Sequence, residues 1–112
     1  WAILGHARCA VLSSDCETPG IALLEAATVG ARPVVTSQGG TQEYYGLCAE
    51  YLDPVKPASI RNAIRSAWVR GRLSPGEADA FARFTWEWAA QVTAQAYQIA
   101  PGCWRAKQRG VT

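Results

Sequence analysis

Three carboxylates, Glu17, Glu25 and Glu43, and three glycines, Gly20, Gly39 and Gly40, fall within the stretch SSDCETPGIALLEAATVGARPVVTSQGGTQEYYG, residues 13–46. The pairing has a chemical logic. A helix that begins near Pro19 presents free N–H groups and the positive end of its dipole, a ready anion site. Gly20 lets a ligand approach the backbone closely, and Gly39-Gly40 offers a second such place. A diphosphate suits that geometry. Carboxylates repel phosphate, but they are strong acceptors for hydroxyl groups. Together the residues call for a ligand with both phosphates and hydroxyls, a nucleotide sugar. Taken singly, each has a plainer reading. Gly39-Gly40 is a turn, Glu25 an exposed helix acid, Glu43 a helix-dipole partner and Glu17 a solvated loop residue.

The elements that must position these residues follow from apolar runs and breakers. Residues 1–7 read as the end of a helix. Cys-Ala-Val-Leu (9–12) is a short continuous apolar run, as in a strand buried on both faces. A helix is predicted with Thr18 as N-cap and Pro19 at its first position, with Ile21, Leu24, Ala27 and Thr28 on one side and Gly30 as its stop. Pro-Val-Val-Thr (33–36) is a second strand, and Thr41 caps a short helix ending at Gly46. Ala-Glu-Tyr-Leu (49–52) is a third strand, closed by Asp53-Pro54. Ile60, Ala63, Ile64, Ala67 and Trp68 repeat at helical spacing up to Gly71. Ser74-Pro75-Gly76-Glu77 is a capping box, and Thr85 caps a last helix to about Ile99, before Pro101-Gly102. The basic tail 103–112 is expected to be loose, with Trp104 as a docking contact.

Alternating strands and helices with short links predict an α/β fold, a Rossmann-like parallel sheet of about three strands with flanking helices. The domain is expected over residues 1–100, with 101–112 as the tail. Ligands of such sheets bind beyond the carboxyl ends of the strands. Residues 13–20 and 37–43 both open there, so the two loops are expected to converge.

The totals exclude several classes. The 112 residues contain no apolar run near the roughly 20 of a transmembrane helix, and no signal peptide is visible. The chain contains no Met, so Trp1 is read as following a processed end or as an excerpt of a longer protein. Residues 1–53 hold two arginines against six acids, a net of −4, and residues 54–112 hold nine Lys/Arg against three acids, a net of +6. Without a block of like charges, the basic half reads as a solvated helix face rather than a nucleic-acid surface. Cys9, Cys16, Cys48 and Cys103 form no CxxC pair and His6 is the single histidine, so no metal site is expected. Cys9 and Cys48 read as buried thiols, and Cys16 lies in the loop of interest.

The order of motifs resembles a known family. Glu17 to Glu25 reads E-x7-E. It is followed by Glu25-Ala26-Ala27, Gly30, Pro33-Val34-Val35 and Gly39-Gly40-Thr41-Gln42-Glu43. Tyr44-Tyr45-Gly46, Ala49 to Pro54, Ser59-Ile60-Arg61 and Phe84 to Tyr97 continue the likeness, so that it covers roughly residues 8–98. This resembles the C-terminal, donor-binding domain of the family 4 retaining glycosyltransferases of GT-B fold. The resemblance implies transfer of a sugar from a nucleoside diphosphate donor to an acceptor, with retention at the anomeric carbon. It gives Glu17 the catalytic place, in contact with hydroxyls of the donor sugar. It sets the backbone of Pro19, Gly20, Ile21 and Ala22 against sugar and diphosphate. It gives Glu25 the ribose hydroxyls, and it places Gly39, Gly40 and Glu43 beside the donor. No metal or other cofactor is implied, and no D-x-D sequence is present in these residues.

Two departures bear on the expectation. The family often has an aromatic residue between Glu17 and Gly20, where this chain has Pro19. The family's domain also has about three further strands upstream, which supply basic residues for the phosphates, and a separate N-terminal acceptor domain. The chain is therefore expected to be a partial domain, inactive alone, with strand 9–12 a raw edge open to self-association. The expected place is the cytoplasm or the cytoplasmic face of the membrane, and the acceptor a glycan or lipid-linked saccharide. Alternatives are another GT-B enzyme, such as a nucleotide-sugar epimerase, or a non-catalytic nucleotide-sugar-binding module.

Overall fold

A computed structural model describes residues 2–108, with side chains as far as residue 100. The chain divides after Ala82 into two compact units. Three short strands, β1 (Cys9–Leu12), β2 (Arg32–Thr36) and β3 (Glu50–Leu52), form one parallel sheet in the order β1-β2-β3. This is the expected α/β, Rossmann-like arrangement. Helix α1 (Ala2–His6) precedes the sheet and α2 (Ile21–Thr28) links β1 to β2. Helix α3 (Thr41–Tyr45) and a single 3-10 turn (Gly46–Cys48) link β2 to β3. Helices α4 (Pro57–Arg70) and α5 (Pro75–Asp79) complete the first unit.

Pleating sorts the strand residues onto two faces. Val34 and Leu52 pack with Ala63 and Ala67 of α4, and Cys9, Ile60 and Ile64 join that cluster. The opposite face carries Leu12 and Val35, paired in register, and meets α2 through Leu23, Ala26 and Ala27, all buried. Every residue of β2 is buried, as suits a central strand with helices on both faces. β1 departs from the expectation of burial on both faces. Val11 is 43% exposed and its neighbours are half-buried, because β1 has a strand on one side only among the described residues.

Unpaired N–H and C=O groups along such an edge recruit another strand. The isolated 112-residue chain is therefore expected to self-associate. Light scattering over a concentration series checks this, with Val11→Lys expected to lower the apparent mass. A monomer at every concentration would go against an adhesive edge.

Arginines hold the amino end of the sheet. Arg32 is 4% exposed, and its guanidinium donates to the carbonyls of Gly71 (2.7 Å), Cys48 (3.0 Å) and Arg72 (3.4 Å). Arg72 donates to the carbonyls of Ala7 and Val29, and Arg70 to Leu47 and the Glu50 carboxylate. Part of the basic half thus ties loops to the sheet instead of forming a solvated helix face. Cys9 and Cys48 are half-buried rather than buried, and Cys16 is exposed.

Trp68 is 58% exposed; it lies outside the α4 core stripe, with the Arg8 guanidinium 5.0 Å above its ring. The capping box at α5 forms as expected: Ser74 accepts from the Glu77 N–H, and the Glu77 carboxylate accepts from the Ser74 N–H.

In the second unit, the Thr85 hydroxyl accepts from the Trp88 N–H at the start of α6 (Trp86–Gln108), as expected of a cap. The helix does not stop before Pro101 but runs on to Gln108. Proline removes one hydrogen bond from a helix, which bends or weakens it without always ending it. The expected docking of Trp104 and the state of residues 109–112 lie outside what is described. No helix among the described residues is long and apolar enough to cross a membrane.

Candidate functional site

The loops that follow β1 and β2 meet. Glu17 pairs with Gly39 as an isolated parallel bridge: the Glu17 N–H donates to Gln38 O (3.1 Å) and the Gly40 N–H donates to Glu17 O (2.9 Å). The bridge extends the β1–β2 pairing past the carboxyl ends of both strands. Contact this close needs Gly39. Its φ is +95°, and an added Cβ would lie 2.0 Å from Glu17 O.

The start of α2 differs from the prediction. Thr18 does not cap the helix and Pro19 is not its first residue. The N-cap is Gly20, at φ 68° and ψ 72°, and α2 begins at Ile21. The bridge fixes Glu17, the chain bends at Thr18 and Pro19, and Gly20 then takes the left-handed turn that leads into the helix. An added Cβ at Gly20 would meet Leu12 Cδ2 at 3.1 Å. Gly20 O accepts from the N–H groups of Leu23 (2.8 Å) and Leu24 (3.2 Å). No side chain caps the helix, so the Ile21 and Ala22 N–H groups face outward at the positive end of the dipole. Ile21 is 64% exposed, and the buried face of α2 is formed by Leu23, Ala26 and Ala27.

Glu17 is half-buried, and its Oε1 accepts from the Ser14 hydroxyl at 2.9 Å. Its Oε2 would stand 3.6 Å from a Cβ at Gly20, which brings the carboxylate beside the start of α2. Pro19, Gly20, Ile21 and Ala22 form the turn and the first helical positions. Glu25 lies one turn further along α2 and is exposed. Gly40 is the N-cap of α3, and Glu43 stands exposed in that helix's first turn. Thr41 is not the cap expected of it. It is the first helical residue, buried, and its hydroxyl donates back to Thr36 O (2.7 Å). The bridge and the Glu17 contact thus gather Glu17, Pro19, Gly20, Gly39 and Gly40, while Glu25 and Glu43 stand on the helices that flank them.

Sequence reading missed one residue at this place. Tyr45, 2% exposed, donates its hydroxyl to the Pro19 carbonyl, with the Gly20 carbonyl 3.0 Å away. Burial, and then the nearby charge of Glu17 and the neighbouring Tyr51, push the hydroxyl pKa above its ordinary 10.0. The available signal was the spacing Thr41, Tyr45, which puts both on one face of α3.

A cleft of about 390 Å³ lies elsewhere, at the carboxyl end of α2, lined by Thr28, Val29, Gly30, Arg72, Leu73, Pro75, Ala78 and Asp79. It belongs to the opposite edge of the sheet from the bridged loops. Comparisons with family models, with curated proteins and with solved structures find no match.

Proposed function

We propose that this chain is the donor-binding part of a retaining glycosyltransferase, which transfers a sugar from a nucleoside diphosphate donor to an acceptor such as a glycan or lipid-linked saccharide. The observation that supports this best is the Glu17–Gly39 bridge, which sets a carboxylate beside an uncapped helix start at the carboxyl ends of two parallel strands. The Ile21 and Ala22 N–H groups receive the diphosphate. Negative charge grows on that group as the glycosidic bond breaks, and fixed dipoles aimed at it lower the barrier. Glu17, oriented by Ser14, accepts hydroxyls of the sugar as positive charge develops on the ring. Glu25 accepts the ribose hydroxyls from the exposed side of α2. In this reading the acceptor is held by a domain outside these residues, in the cytoplasm or at the cytoplasmic face of the membrane. Without that domain the chain lacks the proximity that supplies about 7–11 kcal/mol of barrier lowering, so it binds donor without transferring sugar.

The test is an amide-shift titration of the labelled chain with UDP-glucose and GDP-mannose. Binding in the millimolar range is expected, with shifts centred on Ile21, Ala22, Gly39 and Gly40. In Glu25→Ala the affinity should fall by roughly tenfold or more, the loss of a hydrogen bond to a charged acceptor worth about 1.5–3 kcal/mol. Shifts confined to other residues, or none with either donor, would reject the reading.

A further inference from the structure

We propose that Tyr45 is a positioning residue: its hydroxyl, lodged against the Pro19 and Gly20 carbonyls, fixes the turn that starts α2 and so sets the direction of the Ile21 and Ala22 N–H groups. The proposal rests on the reading of those groups as ligand donors. It adds a part that neither the motif order nor the helix signals supplied.

The geometry is specific. Tyr45 is the last residue of α3, and its ring packs on Phe81 with centroids 5.9 Å apart and planes at 39°. That packing presents the hydroxyl to a turn 25 and 26 residues earlier in the chain. Gly20 O, which the hydroxyl approaches to 3.0 Å, is the same atom that receives the first N–H groups of α2. A left-handed glycine with no side-chain cap has little local preference of its own. The turn is therefore held from outside, by the Gly39 bridge on its amino side and by Tyr45 on its carboxyl side. A point beside Gly20 lies 3.6 Å from both Tyr45 Oη and Glu17 Oε2, so the hydroxyl and the carboxylate flank one location. The hydroxyl, which burial and the Glu17 charge push further above its ordinary 10.0, is protonated and hence a donor throughout the neutral range. Because α3 follows directly on Gly39-Gly40, Tyr45 also ties the two loops of the site to each other.

The experiment compares the wild-type chain, Tyr45→Phe and Ser74→Ala. The phenylalanine keeps the ring on Phe81 and removes the hydroxyl alone. Ser74→Ala weakens the cap of α5, a helix that meets the carboxyl end of α2 and not the turn at Gly20, and serves as a control for general loss of stability. Amide hydrogen exchange is read without ligand, and UDP-glucose affinity by titration. In Tyr45→Phe, exchange at Leu23 and Leu24 should accelerate more than exchange at Val34 and Val35. UDP-glucose should bind about threefold to tenfold more weakly, the size of one neutral hydrogen bond. Ser74→Ala should change neither ratio. If Leu23 and Leu24 in Tyr45→Phe merely follow Val34 and Val35, or UDP-glucose affinity is unchanged, the positioning role is overturned. If the wild type binds no UDP-glucose at all, the reading of the site fails, and the exchange comparison still decides whether Tyr45 holds the turn.

Discussion

Replacing Arg32 by Met is expected to lower the stability of the fold by several kcal/mol, because three carbonyls lose a charged donor and each such hydrogen bond contributes about 1.5–3 kcal/mol. Arg32 opens the central strand and is nearly inaccessible, and its donors serve three carbonyls on two separate loops. Methionine fills much of the volume but leaves those carbonyls without their donors. Water can reach only those near the surface. The Glu77 carboxylate, 3.6 Å away and a third exposed, adds little, since a partly solvated ion pair is screened. Arg32→Lys should rescue only a small part, because one ammonium cannot reach carbonyls that diverge from a planar guanidinium. Urea denaturation of the three proteins measures this. A midpoint for Arg32→Met corresponding to a loss below 1 kcal/mol would mean that the network contributes little to the fold. The folded fraction of either variant should keep its donor affinity, because Arg32 stands at the amino end of the sheet and the bridged loops at the carboxyl end.

Gly39→Ala is expected to abolish detectable donor binding while the sheet survives. The added methyl would fall 2.0 Å from Glu17 O, inside any permitted contact, at a φ of +95° that L residues rarely adopt. The loop must move away, which breaks the bonds from Glu17 N–H to Gln38 O and from Gly40 N–H to Glu17 O. Backbone strain of about 1–2 kcal/mol and two lost hydrogen bonds of about 1 kcal/mol each set the stability cost at roughly 3–4 kcal/mol. The cost to binding is greater, because the two halves of the site then no longer face each other. Gly40→Ala is the matched control. Gly40 has φ −89°, and its nearest contact for a Cβ is Thr18 O at 3.5 Å, an ordinary separation. It should melt close to the wild type and lose less donor affinity than Gly39→Ala. Equal behaviour of the two alanine variants, in melting and in titration with UDP-glucose, would show that the bridge has no part in forming the site.

Elements whose signals are local are legible in the residues alone. Strand β2 is legible in Pro33-Val34-Val35 because a strand covered on both faces is a continuous apolar run. The α5 capping box is legible because both partners lie within four residues. The α4 stripe of Ile60, Ala63, Ile64 and Ala67 follows from helical period alone. The parallel order of the strands, and with it the convergence of the loops after β1 and β2, follows from alternation of strand and helix. Only the tertiary structure decided where α2 begins. Thr18-Pro19 is a sound local start signal, but Gly39 pairs with Glu17, and Tyr45 holds the Pro19 and Gly20 carbonyls from 26 and 25 residues away. Together these long-range bonds outweigh a cap worth about 1 kcal/mol. The burial of Arg32 and the exposure of Ile21 and Trp68 were equally out of reach. Residue type gives a tendency to be buried, but whether a given side chain meets carbonyls, another helix or water depends on which segments the fold brings beside it.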